Sequence, residues 1–169
     1  MESVQHFMTY SWIIALGGLM FAFLTYAWIL KQPAGNAKMT GIAALIESGS
    51  MTFLKKEYSI LIFFLGLITA LLAWKLGNST AMCYLSGALG SMLCGFFGMK
   101  AATKANVRTA EAAAQSGQSK ALSVAFFGGS VMGMSVASVG LVGIVLLYKY
   151  LSGTSTIVAL NGFAMGASS

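Results

Sequence analysis

The chain has 169 residues, of which 57% are hydrophobic and only 8% are charged, and its mean hydropathy is +0.81. A soluble domain carries about 25% charged residues, so this composition excludes a water-soluble globular protein and predicts a multi-pass membrane protein. The net charge of +6 does not indicate nucleic-acid binding, because basic residues flank membrane spans on the cytoplasmic side.

The first half of the chain contains two predicted membrane spans. Residues 11–30 form an apolar run that is long enough to cross ~30 Å of hydrocarbon. A proline and a glycine then predict a turn, after which Asn36 is placed to cap a new helix. Residues 36–57 form an amphipathic segment with apolar residues on roughly one face. Residues 58–74 form the second span, which we expect to continue the same helix.

The second half contains two more spans and the start of a fifth. Residues 75–80 predict a short polar loop before the third span, which covers about residues 81–98. A basic loop at 99–120 separates it from the fourth span at 121–150. A fifth apolar segment occupies 156–169, and its ending without a polar tail is typical of a truncated chain.

Lys100, Lys104 and Arg108 are four residues apart, so they share one face of a helix, and we call them the basic stripe. One continuous helix from the third span would carry this stripe out of the membrane, whereas the polar residues 111–120 predict a loop. The stripe has two interpretations that charge alone does not separate. It is either a solvated helix end that contacts lipid phosphates or a surface that attracts an anionic substrate.

The basic residues also predict the orientation of the chain. Eight lie between spans one and two or between spans three and four, whereas the other side has only Lys75 and Lys149. Because lysine and arginine concentrate in cytoplasmic loops, both long loops are predicted to be cytoplasmic and the N-terminus to be outside.

Small residues recur every fourth position on the third and fourth spans. Such rows let helix backbones approach closely in lipid, so tight helix packing is the main expectation and a pore lining is the alternative. Two cysteines in these rows are too far apart along a helix for a disulfide, so packing is predicted for them as well. The rows are Cys83, Gly87, Ser91 and Gly95; Ser86, Gly90, Cys94 and Gly98; and Gly129, Gly133 and Ala137.

Carboxylates are scarce, since the chain has no aspartate and its glutamates are Glu2, Glu47, Glu57 and Glu111, all in predicted loops or interfaces. Ion relays in membranes usually use ionisable groups inside the spans. Hydrolysis of a phosphoanhydride with Mg²⁺ needs oxygen ligands for the metal. Glu47 and Glu57 are about 15 Å apart along a helix, too far to hold one metal together. Neither a catalytic site nor a metal site is therefore predicted in this chain.

Four stretches of the sequence resemble one family. They are GNAKMTGIAALIESGSMTFLKKEYSIL from Gly35, SGALGSMLCGFFGMKAATKANVRTAEAA from Ser86, GGSVMGMSVASVGL from Gly128, and NGFAMGASS from Asn161. The third-span stretch is the most specific of them. From about residue 35 to its end, the chain resembles the membrane-integral ion-pumping inorganic pyrophosphatases, and its first span is similar to theirs only in character.

The resemblance implies an all-α membrane protein of about sixteen transmembrane helices. Such a protein works as a homodimer and couples hydrolysis of Mg-pyrophosphate to export of H⁺ or Na⁺. This chain would be its N-terminal quarter: a lipid-embedded bundle of four full helices and the start of a fifth, which provides framework rather than catalysis. The resemblance also implies that Mg²⁺ binds outside this stretch, and it leaves open whether K⁺ is a cofactor. The expected location is the cell membrane of a prokaryote.

The same resemblance places Ser168 at the start of the family's fifth helix, where it could approach the ion path, with a packing role as the alternative. Two other functions compete with the pump fragment. One is a stand-alone small channel or proteolipid-like subunit, although a proton-carrying proteolipid would need a carboxylate near mid-membrane. The other is a membrane scaffold protein.

Overall fold

The computed structural model describes the backbone of residues 2–151 and 155–168, and the side chains of residues 10–149, 151 and 157–168. All regular structure within these ranges is helical. The five helices are α1 (Glu2–Lys31), α2 (Ala37–Leu76), α3 (Asn78–Ser116), α4 (Gln118–Tyr150) and α5 (Ser155–Ala167). The predicted class, an all-α bundle of four long helices and the start of a fifth, is confirmed.

Four helices of the described chain are long and apolar enough to cross a membrane, by length and composition. They are Tyr10–Lys31, Ala37–Leu76, Asn78–Ser116 and Gln118–Lys149. The shorter apolar helix Ile157–Ala167 belongs to the predicted fifth segment, whose last residue, Ser169, lies outside the described residues. We refer to the end of the bundle where α1 joins α2 and α3 joins α4 as the basic end.

The start of α2 follows the predicted capping pattern. The side-chain oxygen of Asn36 accepts a hydrogen bond from the Met39 backbone N–H at 3.0 Å, which satisfies one of the free donors at the helix start. The helix then continues without a break through the amphipathic segment and the second span, as expected. Its 40 residues correspond to about 60 Å, so α2 extends well beyond the hydrocarbon region at the basic end.

The predicted loops at 75–80 and 111–120 are wrong in extent. Each is reduced to one glycine between two helices, Gly77 with φ +92° and Gly117 with φ +84°. A positive φ is readily adopted by glycine, so one residue is enough to end a helix and redirect the chain. The alanine-rich run before Ser116 has high helix propensity, and it keeps α3 helical where polarity alone had predicted a loop. The basic loop at 99–120 is therefore mostly the continuation of α3.

Helix α3 occupies the centre of the bundle. Among the described elements it contacts all four other helices, whereas α2 contacts α3 alone. Eleven of the residues in α3 are buried, against two in α2. The position of α2 therefore depends on its contact with α3.

The small residues of α3 pack as predicted, and the closest contact is with α5. Gly166 lies against the carbonyl oxygen of Tyr84, and Gly87 lies against the carbonyl oxygen of Phe163. A methyl group on either glycine would overlap the opposite backbone. The two backbones thus approach through glycines on both helices, which is the geometry that small-residue rows allow in lipid.

The row on α4 does not pack inside the described chain. Gly129 and Gly133 have open space where a side chain would be, and Ala137 is exposed. The inward-facing glycines of α4 are instead Gly128, against the side chain of Ala105, and Gly143, against the ring of Phe163. Four-residue spacing identifies a face of small residues but does not tell which face turns inward.

Both cysteines are buried and free, as expected. Cys83 packs with Ala159 and Phe163 of α5. One further contact fixes α2 against α3: the hydroxyl of Tyr58 donates a hydrogen bond to the carbonyl oxygen of Met92. A side chain at Gly95 would meet that hydroxyl, so glycine leaves the space that the tyrosine occupies.

We predict that Gly166→Ala lowers the stability of the purified chain in detergent by about 1–3 kcal/mol, because the added methyl cannot be accommodated by a side-chain rotation alone. Thermal unfolding measured by intrinsic fluorescence provides the test. Gly133→Ala is the matched control and is expected to be neutral or slightly stabilising, since it adds a methyl in open space and improves helix propensity. Equal losses in both variants would contradict the close contact between α3 and α5.

Candidate functional site

The basic stripe lies on an uninterrupted stretch of α3 that continues past the third predicted span. The predicted continuous helix is confirmed, since α3 carries the end of the apolar run and all three cations. The three side chains nevertheless have different surroundings, which the four-residue spacing does not reveal.

Lys104 forms an ion pair with Glu47 of α2, with its ammonium nitrogen 2.7 Å from a carboxylate oxygen. Both side chains are partly exposed, at 36% for Lys104 and 28% for Glu47, so solvent screens the attraction. Such pairs contribute about 0.2–1 kcal/mol. The pair therefore aligns the extension of α2 with that of α3 more than it stabilises the fold.

Arg108 connects α3 to the end of α1. Its Nη1 donates to the carbonyl oxygen of Lys104 at 2.8 Å, and its Nη2 donates to that of Leu30 at 3.3 Å. Leu30 is in the last turn of α1, where carbonyls have no partner within the helix and a cation is favoured by the helix dipole. The Nε of Arg108 is buried and has no hydrogen-bond partner within the described chain. Two members of the stripe thus link three helices at the basic end.

Lys100 differs from the other two, because its ammonium lies over the ring of Phe96, 5.5 Å from the ring centroid. No carboxylate of the described residues lies within ion-pair distance of it. Lys104 and Arg108 have partners within the protein, so the two interpretations of the stripe, lipid phosphate or anionic substrate, apply in full only to Lys100.

Aromatic contacts join α1 to α4 at the same end. The rings of Trp28 and Phe127 meet edge to face with centroids 5.2 Å apart, and the ammonium of Lys120 lies 5.3 Å from the centroid of the Trp28 ring. Cation–π contacts at partly exposed sites contribute about 0.5–1 kcal/mol. The sequence alone does not predict the contact between Trp28 and Lys120, because it depends on how α1 packs against α4.

The described carboxylates do not converge. Glu47 is paired with Lys104, Glu57 is exposed on α2, and Glu111 is partly buried on α3. Among residues 10–149, 151 and 157–168, whose side chains the structure describes, no group of three or more histidine, cysteine or acidic residues is arranged to hold a metal ion. Mg²⁺ takes most of its ligands from oxygen in octahedral geometry, so the residues present do not fit a Mg²⁺ site.

Ser168 directly follows the last residue of α5 and is exposed. Its hydroxyl donates to the carbonyl oxygen of Met165 at 2.9 Å, a local contact that a serine at a helix end commonly makes. The structure does not bring Ser168 together with the basic stripe, which lies toward the opposite end of α3 from the residues that α5 contacts.

These features define a polytopic α-helical membrane protein whose described polar groups tie its helices together at one end. Residues 16–169 match the family described as inorganic H⁺ pyrophosphatase, and the chain belongs to this family.

Three relatives illustrate the match. A Clostridium tetani protein named "Putative K(+)-stimulated pyrophosphate-energized sodium pump" is 48% identical over 98% of this chain and 24% of its own length. A Thermotoga maritima K⁺-stimulated pyrophosphate-energized sodium pump is 40% identical over 80% of this chain and 19% of its own length. A Methanosarcina mazei K⁺-insensitive pyrophosphate-energized proton pump is 39% identical over 92% of this chain and 23% of its own length. The chain therefore spans about a quarter of the length of the curated relatives it matches.

We predict a coupling of about 0.2–1 kcal/mol between Glu47 and Lys104 in a double-mutant cycle of Glu47→Gln and Lys104→Gln. The pair is screened by solvent, so raising the salt concentration should reduce the coupling. Chemical unfolding of the four proteins gives the value. In the control cycle, Glu57→Gln replaces Glu47→Gln, and no coupling is expected because Glu57 is exposed and is not paired with Lys104. A Glu47 cycle that gives the same value as the control would show that the ion pair does not hold α2 to α3.

Proposed function

We propose that this chain is the N-terminal framework of a pump that couples pyrophosphate hydrolysis to export of H⁺ or Na⁺. The observation that carries this proposal is the family match over residues 16–169, together with relatives whose names describe pyrophosphate-energized sodium and proton pumps. In this proposal the chain supplies four membrane-spanning helices and part of a fifth. The catalytic residues lie in the remainder of the pump.

The arrangement of charge supports a framework role. Glu47 is engaged with Lys104, and Arg108 is engaged with backbone carbonyls, so these groups are committed to joining helices. Hydrolysis of pyrophosphate needs a metal to neutralise charge and a positioned water, and the described carboxylates are not grouped for that task. We assign Mg²⁺ to the remainder of the pump. A role for K⁺ is part of the proposal because the names of relatives include both K⁺-stimulated and K⁺-insensitive pumps.

Three further assignments belong to the same proposal. Ser168 approaches the ion path, supported by its exposed position at the end of α5, and its bond to Met165 would have to exchange for a contact with the ion or with water. The pump works as a homodimer, as the family resemblance implies. The single membrane domain has its spans near the predicted positions, with the amphipathic part of α2 and the basic extension of α3 outside the hydrocarbon.

We also propose that the basic end is cytoplasmic, in the cell membrane of a prokaryote, and that the N-terminus is outside. The proposal is supported by Lys31, Lys38 and Lys120 near the connections at the basic end, whereas the opposite end has Lys75 beside Gly77 and Lys149 in the last turn of α4. Positive charge near the ends of spans is retained on the cytoplasmic side during insertion.

We expect the purified 169-residue chain to release no phosphate from Mg-pyrophosphate, while the full-length pump that contains it does so. The reason is that the chain holds no grouped ligands for Mg²⁺ among its described residues. Phosphate release measured on both proteins at matched concentrations is the test, and a heat-denatured sample of each provides the background. Turnover by the chain alone would refute the framework role.

We expect a cysteine placed at Gln118 to be protected from a membrane-impermeant maleimide in intact cells and labelled after permeabilisation, because the basic end faces the cytoplasm in our proposal. A cysteine at Asn78 should be labelled in both conditions. Both substitutions are made on a Cys83→Ala, Cys94→Ala background, which removes the two native thiols. The reverse pattern would invert the proposed orientation.

A further inference from the structure

A crevice of about 340 Å³ lies between α1, α3 and α4. Its most buried lining residues are Ala22 and Val131, at 4% and 5% exposure, and its most exposed are Phe23 and Phe97, at 69% and 57%. The small and branched side chains thus form the floor and the two phenyl rings flank the opening. The crevice opens sideways from the bundle, toward the region that the membrane occupies.

One end of this crevice is polar. Tyr26 of α1 and Lys100 of α3 both line it, and they lie at one level because Tyr26 packs on a cluster that includes Ala101. The ammonium of Lys100 has no carboxylate partner among the described residues, and its contact within the protein is with the ring of Phe96, 5.5 Å from the ring centroid. A partly buried cation and a tyrosine hydroxyl that line the same end of a crevice attract a group that is both anionic and a hydrogen-bond acceptor.

The other end lies deeper in the membrane and is apolar except for Ser135, whose hydroxyl donates a hydrogen bond to the carbonyl oxygen of Val131. Leu19, which also lines the crevice, precedes Tyr26 by seven residues, or about 10 Å along α1. Leu19 is near the middle of the membrane-spanning range Tyr10–Lys31, whereas Tyr26 is close to its end. The crevice therefore runs from the membrane interface, where its lining includes a cation, toward the bilayer centre, where its lining is mainly apolar.

We infer that this crevice binds one acyl chain of an anionic phospholipid, with the phosphate of its headgroup at Lys100 and Tyr26. The crevice has a cation at the membrane interface and apolar side chains below it. An anionic phospholipid has the matching arrangement, with its phosphate at the interface and its acyl chain below. Basic pockets between helices on the cytoplasmic side bind anionic headgroups. A zwitterionic lipid carries the same phosphate together with a cation, which weakens its attraction to Lys100, and free phosphate would make no use of the apolar part.

Lys100 is thereby distinguished from the rest of the basic stripe. Lys104 and Arg108 hold helices together through Glu47 and the carbonyl of Leu30, while Lys100 faces the lipid. This inference depends on the membrane location of the chain and is independent of whether the pump hydrolyses pyrophosphate.

The test uses the full-length protein in nanodiscs that contain phosphatidylcholine and phosphatidylglycerol, each supplied in turn with a photoreactive diazirine in its acyl chain. After irradiation, labelled peptides are mapped by mass spectrometry. We expect phosphatidylglycerol to label the peptides around Phe23 and Phe97 more strongly than phosphatidylcholine does. Lys100→Gln should weaken this preference about fivefold, the effect of one interfacial cation.

Two variants complete the design. Lys100→Arg keeps the charge and is expected to retain the preference. Lys149→Gln removes an exposed cation near the far end of α4 and is expected to leave the labelling unchanged. Thermal unfolding of every variant verifies that it is folded. The inference is overturned if Lys100→Gln keeps the preference, if both lipids label the crevice equally, or if the crevice stays unlabelled because another part of the protein covers it.

Discussion

Close backbone contact between α3 and α5 is the constraint on which the arrangement of this bundle depends. Gly166 against the carbonyl of Tyr84, and Gly87 against that of Phe163, bring the two helices closer than any side chain would allow. In lipid the hydrophobic effect does not drive helices together, so packing of this kind carries association. Because α3 also contacts α1, α2 and α4, it connects α5 to the other helices of the bundle.

Charged side chains add contacts between the helices at the basic end of the bundle. The ion pair between Lys104 and Glu47 joins α2 to α3, and the bond of Arg108 to Leu30 joins α3 to α1. The paired side chains of Lys104 and Glu47 are partly exposed, so water screens their attraction. The combined effect of these contacts is to set the direction in which the helices leave the membrane. That role suits the framework function that we propose for this chain, and it leaves Lys100 available for the lipid that we infer.

Much of the fold could be predicted, because hydropathy and glycine spacing act locally along one helix. The span order, the Asn36 cap and the continuous α2 follow from such patterns. The extent of the loops could not be predicted in this way. The polarity of residues 111–120 favoured a loop, but the high helix propensity of the alanine-rich run kept α3 helical to Ser116. The outward-facing row at Gly129 and Gly133 and the partners of the basic stripe depend on tertiary packing. In particular, Arg108 bonds to the backbone carbonyl of Leu30. Every residue has such a carbonyl, so the residue type gives no indication of this contact.

The contact between α3 and α5 is tested most directly by cross-linking the native Cys83 to a cysteine at Ala159, since the two residues pack in one cluster. Dibromobimane becomes fluorescent only when it joins two neighbouring thiols. The account predicts rapid fluorescence in the Ala159→Cys protein in membranes, and none when Cys83→Ala is added and Cys94 is left as the only native thiol. A failure to cross-link, or equal fluorescence through Cys94, would contradict the position assigned to α5.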